Sequence, residues 1–565
     1  MRYRLPLIML MMLVATWCAP LQAAYIPISI TGYNQDMIVE SGALTGASLA
    51  GTATTASMDV GAGNTQKSWY EIGYDTNTGQ TTTGLPSGGV TVASEAGVDH
   101  SFRLADDYTA SNAVLLDSSH TTASLTLSNP LAYSSLSVLT SSGHGPGTIG
   151  YTIHYADGTT SIGTFNSNDW FNSSTTAITA HGRVDVQTGA FDSEGSSNPR
   201  LYQADLTVAN PQKNITSVDL AYITGQASTH TAVMALSGVA SKTIFSSGDS
   251  IAAYNSSGTP NSPTAEQVPN AIDGDINTKY LNSNKTDPGL TVTNDYQMSV
   301  VKSLILTSAN DAPQRDPASY VIQGSNDLSG AWTNISSGAV PTFTGRHVSL
   351  SIDIANTDLY SHYRVYFPSV VDSPTTANSM QIAEVNLAAS QILQDVTGPG
   401  TIVTVYNSSG TPDPKEPTEG IAKAIDNDPN TKYLNFNKVG AGLTFELSQA
   451  FTVQGVGIRT ANDSPERDPA SFTLQGSNDG VNFVDIVTDM AIDPISTRFY
   501  NRNYAFDNDT AYLYYRLFFP TVANDATANS MQVGEIQLFA VIPTPTALPA
   551  GLMMLGLAAM RRRSR

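Results

Sequence analysis

The stretch Ala271-Ile-Asp-Gly-Asp-Ile-Asn-Thr-Lys-Tyr-Leu-Asn282 returns as Ala424-Ile-Asp-Asn-Asp-Pro-Asn-Thr-Lys-Tyr-Leu-Asn435. A chain that repeats so specific a text folds one unit twice. The period of roughly 150 residues makes that unit a domain and not a solenoid turn. The rest of the repeat agrees: Tyr254 to Pro260 recurs as Tyr406 to Pro412, and Ala309-Asn-Asp-Ala-Pro-Gln-Arg-Asp-Pro-Ala-Ser319 as Ala461-Asn-Asp-Ser-Pro-Glu-Arg-Asp-Pro-Ala-Ser471. Each is followed by a strand-like run, Tyr320-Val-Ile-Gln-Gly-Ser-Asn326 and Phe472-Thr-Leu-Gln-Gly-Ser-Asn478, whose bulky residues alternate onto one face. Each copy closes on Gln381-Ile-Ala-Glu-Val385 or Gln532-Val-Gly-Glu-Ile536.

The repeated loop has a chemistry of its own. Asp273, Asp275 and Asn277 set oxygen side chains on alternate residues of a tight turn, and Asp426, Asp428 and Asn430 do so again. Closely spaced hard oxygens suit Ca²⁺, which takes 6–8 oxygen ligands at about 2.3–2.6 Å. A helical calcium hand needs Gly at its sixth position and a bidentate Glu at its twelfth. Those places hold Thr278 and Asn284 in one copy, and Thr431 and Asn437 in the other. A metal here needs a further ligand from elsewhere in the chain; the alternative is an Asp/Asn-rich turn without metal.

Composition sets the class. At 565 residues the chain is too long for one core, and about three domains are expected. Charged residues make up only 13%, no long 3.6-residue stripe appears, and turn formers abound, which is an all-β profile. The formal net charge of −21 argues against nucleic acid, whose binding depends on basic residues neutralising phosphates. The one cysteine, Cys18, falls in an N-terminal segment with Arg2 and Arg4 before an apolar run and Ala23 at a small-residue cleavage position. Residues 1–23 read as a secretory signal peptide, so the mature chain would hold no disulfide.

Residues 24–245 read as an N-terminal β-sandwich domain of unknown role, with Asp157-Gly158 as a hairpin turn. Six of the eight histidines lie here, none at metal-ligand helical spacing. Trp69-Tyr70 and Asp169-Trp170-Phe171 are either sugar-stacking platforms or core aromatics. Residues 247–390 and 401–540 are the two repeats, joined through Gly398-Pro399-Gly400.

The order Ala-Ile-Asp-Gly-Asp, Thr-Lys-Tyr, Gln-Gly-Ser-Asn and a terminal Gln-Ile-Ala-Glu-Val resembles the discoidin, or coagulation-factor type C, family of galactose-binding-like jelly rolls. The resemblance covers about 290 residues in two copies. It implies three jelly-roll or sandwich domains, the last two a tandem duplication, and one structural Ca²⁺ per repeat. The implied ligands are Asp273, Asp275, Thr278 and Glu384 with the carbonyls of Asn270 and Ala383. In the second copy they are Asp426, Asp428, Thr431 and Glu535 with the carbonyls of Lys423 and Gly534. Sugar-binding members use loops at one end of the sandwich. The repeated Asn310-Asp311…Arg315-Asp316 and Asn462-Asp463…Arg467-Asp468 clusters are the candidates for that role, or else are self-contained turn braces. Tyr280 and Tyr433 stand where many relatives carry Trp.

Residues 541–565 resemble the PEP-CTERM sorting signal of Gram-negative bacteria, which associates transiently with the membrane until an exosortase reads and removes it; the alternative is a simple C-terminal anchor. Pro543-Thr544-Pro545 replaces the usual Pro-Glu-Pro, and about a dozen apolar residues lead into Arg561-Arg-Arg-Ser-Arg565. No Gly-x-Ser-x-Gly elbow, His-Glu-x-x-His or phosphate loop occurs. The sequence therefore leads us to expect an exported, surface-associated, non-catalytic protein that binds extracellular polysaccharide. Two alternatives stay open: a structural or adhesive matrix protein binding other proteins, and a polysaccharide hydrolase with paired acids in the N-terminal domain.

Overall fold

A computed structural model describes residues 24–41, 56–59, 66–76, 78–97, 99–172, 175–192, 198–256, 258–372, 376–408 and 410–542. The signal-peptide reading and the Pro543-Thr544-Pro545 motif lie outside them. The described chain is built from strands joined by turns, with short 3₁₀ turns as its only helical structure, which is the all-β class that composition led us to expect.

The N-terminal domain turns on one strand. Thr122–Gly143 runs for 22 residues and serves two layers. Its first part pairs with Asn214–Thr224, and its second with His230–Ala240 and Arg200–Thr207. The register shifts between Thr126 and Leu131, which lets a strand of this length bend over the core. Leu125, Leu131, Leu136 and Val138 from this strand meet Ile149, Ile153, Val218 and Leu236 in a closed apolar layer. The hairpin expected at Asp157-Gly158 forms between Gly147–Tyr155 and Thr160–Ser167. Gly158 takes a φ of 82°, and Asp157 Oδ1 accepts from Thr159 N. Trp69 and Trp170 are core residues, packed edge to face at 5.3 Å with at most 1% exposure, so they offer no sugar platform.

Each repeat is a sandwich of a five-stranded and a three-stranded antiparallel layer. In the first repeat the larger layer runs Ser250–Asn255, Pro288–Thr293, His362–Tyr366, Ser319–Ser325, Thr333–Ala339; in the second it runs Ile402–Asn407, Ala441–Phe451, Tyr512–Val522, Pro469–Ser477, Val484–Ala491. Tyr320 and Ile322, with their counterparts Phe472 and Leu474, point into the cores as their alternation required. The smaller layers do not stay separate. Ser349–Asp353, Gln297–Thr307 and Glu384–Asp395 continue through Glu535–Ala540, Val453–Arg459 and Asn501–Ala505 as one six-stranded sheet. The link is the antiparallel pairing of Gln394 with Ala540 and Asp395 with Phe539.

The joint between the repeats is therefore a packed interface, not a loose ten-residue linker. Val396 N donates to Leu538 O, and Gln391 Nε2 reaches Gln454 Oε1. Arg502 pairs with Asp327 of the first repeat, and Asn503 Nδ2 donates to Ser361 Oγ at 2.6 Å. Met298, Leu393 and Phe539 close an apolar plug between them. The N-terminal domain docks on the first repeat in turn: Ala388 enters its core layer, Ile244 N donates to Leu387 O, and Thr344 Oγ1 donates to Thr91 O.

Candidate functional site

The repeated loops and the repeated Glu meet at one end of each sandwich. In the first repeat a 3₁₀ turn, Val268–Ala271, aims the chain into the loop, and Gly274 reverses it at φ 79°. Asp273 Oδ1 accepts from Asp275 N at 2.8 Å, while its Oδ2 accepts from Thr278 Oγ1 at 2.9 Å. Glu384, the first residue of the last strand, comes 110 residues later in sequence and accepts from Gly274 N at 3.2 Å. Asp273, Thr278 and Glu384 thus converge. Asp275 does not join them: it is exposed, and its Oδ1 caps Asn277 through both the backbone and the side-chain amide. Asn270 ties the loop by donating to Ala265 O and Lys279 O.

Electrostatics at this cluster favour a cation. Burial pushes the Glu384 carboxyl up to about 9, and the neighbouring Asp273 adds to the shift. Glu384 Oε1 is buried without a hydrogen-bond partner. No group of three or more His, Cys, Asp or Glu side chains among the described residues is placed to hold a metal unaided. A metal shell here would have to draw on carbonyl and hydroxyl oxygens as well, which Ca²⁺ accepts readily. The donor set, all oxygen with an orphaned buried carboxylate, fits that ion.

The second loop has the same frame and a different charge. Asn427 takes φ 58° where the first copy has Gly, a conformation Asn tolerates better than most residues, and donates to Glu535 Oε1 at 3.2 Å. Thr431 Oγ1 donates to Asp426, and Asp428 caps Asn430 instead of turning inward. Burial pushes Glu535 up to about 7, and its Oε2 is also orphaned. Gly534 N donates to Arg459 O at 2.8 Å, seating the strand start. The resemblance cast Lys423 as a carbonyl donor only. Its ammonium in fact bonds Asp426 Oδ2 at 3.0 Å.

The neighbouring Asn-Asp…Arg-Asp loop separates into a brace and a free group. Asp311 receives Lys279 Nζ at 2.8 Å, and Lys279 also reaches Gln381 Oε1. Gln381 Nε2 donates back to the carbonyls of Asp311 and Ala312. Asp316, 2% exposed, is gripped bidentately by Arg346. Burial raises its carboxyl although the guanidinium opposes the rise. The second copy repeats every part: Lys432 on Asp463, Gln532 under the loop, and Arg498 bidentate on Asp468. Asp311, Asp316, Asp463 and Asp468 are thus held internally, and the sequence reading missed their partners. Lys279 and Lys432 were visible in the repeated Thr-Lys-Tyr; Arg346 and Arg498 lie in dissimilar text, Gly345-Arg-His347 and Thr497-Arg-Phe499.

Arg315 and Arg467 differ from these. Each follows a left-handed residue, Ala312 at φ 42° or Ser464 at φ 46°, and ends a one-turn 3₁₀ segment. Neither side chain forms a hydrogen bond or ion pair with a described residue, and each Nε is buried unpartnered. Asn310 and Asn462, five residues earlier in the chain, are exposed. Tyr280 and Tyr433 are fully buried and cannot stack on a ligand. Beside the second loop opens a cavity of about 680 Å³, walled by Pro465, Asp468, Pro469, Ile492, Pro494 and Ile495. In the first repeat Phe343 takes the place of Ile495 and is 9% exposed.

The N-terminal domain carries one further cluster. Buried Asp117 lies 3.1 Å from His120 Nδ1 and 3.5 Å from His230 Nε2, at a polar cavity of about 630 Å³.

Residues 405–527 match the F5/8 type C domain. No curated protein matches the chain. Among solved structures, the chain is similar to the CBM32-1 and CBM32-2 domains of Clostridium perfringens ZmpB at 12% identity, covering 53% of this chain and 94% of that one, with a TM-score of 0.22. It is similar to a fucolectin from striped bass (Morone saxatilis) serum at 14% identity, over 53% and 98%, with a TM-score of 0.23. The family 32 module of C. perfringens NanJ, solved in complex with galactose, is similar at 17% identity over 26% and 97%, with a TM-score of 0.21.

Proposed function

We propose that this is an exported, surface-associated, non-catalytic protein that binds extracellular polysaccharide through its two discoidin-like repeats. The observation that carries the reading is the guanidinium of Arg315 and Arg467. The chain builds the same rigid, ion-paired brace twice and leaves one guanidinium in each, near Asp311 or Asp463, without a hydrogen bond or ion pair among the described residues. A cation so placed, five residues along the chain from exposed Asn310 or Asn462, suits ligand hydroxyls and carboxylates. Export and surface retention are read from residues 1–23 and 541–565 alone, with an exosortase-type enzyme as the processing partner. The F5/8 type C match over 405–527 supports the module assignment.

In each repeat Asp273 or Asp426, Thr278 or Thr431, the strand-leading Glu and nearby carbonyls form the oxygen frame on which a Ca²⁺ would sit. The bound ion would neutralise buried carboxylates and tie the loop to the last strand. The ligand loop gains from this indirectly, because Lys279 and Lys432 follow directly on Thr278 and Thr431 and anchor Asp311 and Asp463. The test is a glycan array with the full chain and with the Arg315→Ala/Arg467→Ala double variant. Galactose and N-acetylgalactosamine polymers, the sugars named with similar solved modules, are the first probes. Binding that survives loss of both arginines overturns the assignment of the loop.

A second reading, hydrolysis by the N-terminal domain, has the Asp117–His120–His230 cluster behind it. Polysaccharide cleavage by the full chain, abolished by His230→Ala, would replace the non-catalytic reading.

A further inference from the structure

Within the calcium-bracing part of that reading, the two loops differ in fixed charge. The first brings Asp273 and Glu384 together, with exposed Asp275 outside the cluster, and no Lys or Arg among the described residues pairs with them; His347 Nδ1 meets the loop only at the carbonyl of Ile276, 2.7 Å away. Asn270 stands three residues before the first Asp, and its amide is spent on Ala265 O and Lys279 O. Thr307 is the cross-strand neighbour of Glu384. Lys279, the nearest lysine in sequence, is turned away to Asp311. In the second loop both of these neutral positions are cationic. Lys423 replaces Asn270 and sits 3.0 Å from Asp426 Oδ2. Arg459 replaces Thr307 as the cross-strand neighbour of Glu535; its guanidinium donates to Phe499 O at 3.1 Å and lies 3.9 Å from Asp295, so it adds positive charge nearby without bonding Glu535.

We propose that the loops are not equivalent: the first takes a bound Ca²⁺, whereas in the second Lys423, backed by Arg459, stands in for much of the ion's charge. An ammonium on a carboxylate oxygen competes with a metal for that oxygen and repels it. Two converging carboxylates with no fixed cation draw a divalent ion more strongly than two with an ammonium bonded to one of them. The first repeat is thereby calcium-dependent, and the second carries its own counter-charge in the covalent chain. Duplication has let one copy exchange a soluble cofactor for a side chain.

The experiment is calorimetric titration of the chelator-treated full chain with CaCl₂. The wild type is expected to show one site per chain. Lys423→Asn is expected to raise affinity at the second loop at least tenfold and bring a second site into view. Asn270→Lys is expected to weaken the first site at least tenfold. Because Asn270→Lys also removes two loop hydrogen bonds, Lys423→Asn decides the matter if that variant fails to fold. Two matched sites in the wild type, or an isotherm unchanged by Lys423→Asn, overturns the inequivalence while leaving calcium bracing in place. No binding at all by the wild type overturns both. Neither result depends on whether the loops hold a glycan.

Discussion

The two repeats share their inward-facing text and differ where they meet a neighbour. On the inner faces Tyr320 and Ile322 correspond to Phe472 and Leu474, and all four are buried core. On the outer face of the small sheet, Ser303 and Ile305 of the first repeat correspond to Gly455 and Gly457 of the second. The first pair lies where the N-terminal domain docks, with Ile305 against its apolar layer. The glycines instead admit polar and sulfur groups. A Cβ at Gly455 would lie 2.8 Å from Met298 Sδ, and one at Gly457 would lie 2.5 Å from Gln537 Oε1 and 2.7 Å from Asn503 Oδ1. A core is filled by its own domain and stays constant across copies. An outer face is filled by whatever stacks on it, so duplicated text drifts there first.

The strongest way to break this comparison is to transplant one face onto the other. Gly457→Ile drives a branched side chain into Gln537 and Asn503 and should cost about 3 kcal/mol of inter-repeat docking by overpacking. Scanning calorimetry should resolve the repeats into separate transitions; one unchanged transition would show that the glycine is incidental. Removing the ion pair at the same interface comes next. Arg502→Ala strands Asp327, which keeps Tyr500 Oη as a donor, so the loss should be about 2 kcal/mol, below the value for a fully buried pair. The corresponding position in the first repeat, Leu350, lies in that repeat's own core. Leu350→Ala should therefore destabilise the first repeat itself and leave its seam with the second intact, as limited proteolysis would read.

A third test uses pH. Burial in the joint pushes Asp395 up to about 6, against the hydrogen bonds that it receives from Thr397. Its unfolded value lies near 3.9. The folded state therefore prefers the protonated acid. The stabilisation is full below pH ~4 and is lost as pH rises through 6. Asp395→Asn should raise stability by about 1–2 kcal/mol at pH 7.5 and change little at pH 4. A variant-minus-wild-type difference that is flat between pH 4 and 8 would contradict the assignment. The smallest effect is expected at the cavity. Ile495→Phe copies the first repeat's Phe343 and should change stability by less than ~1 kcal/mol while narrowing the 680 Å³ space at one wall. Any glycan bound there should then be lost from the second repeat alone.

Much of this architecture was legible. Alternation placed the strands, the duplicated text placed both loops, and the family resemblance named the distant Glu384 and Glu535. What the text concealed was partnership. Asp316 and Asp468 read naturally with Arg315 and Arg467, one residue away, yet they bind Arg346 and Arg498, 30 residues on. Adjacent residues in an extended turn point apart, so nearness in sequence misleads about ion pairs. The shared six-stranded sheet was equally hidden. Periodicity tells which face of a strand is buried but not which edge it lends to another domain.

Val541 and Ile542 line a small cavity with Gln212, Ser241 and Lys242 of the N-terminal domain side and Ser390, Gln391 and Gln394 of the first repeat. The last strand of the second repeat thus delivers the chain to a point where all three bodies meet. A pull applied through residue 542 enters the molecule at that keystone. It loads the Gln394–Ala540 and Asp395–Phe539 pairing together with the N-terminal docking contacts. Tension is divided among three bodies at once instead of unravelling them in sequence.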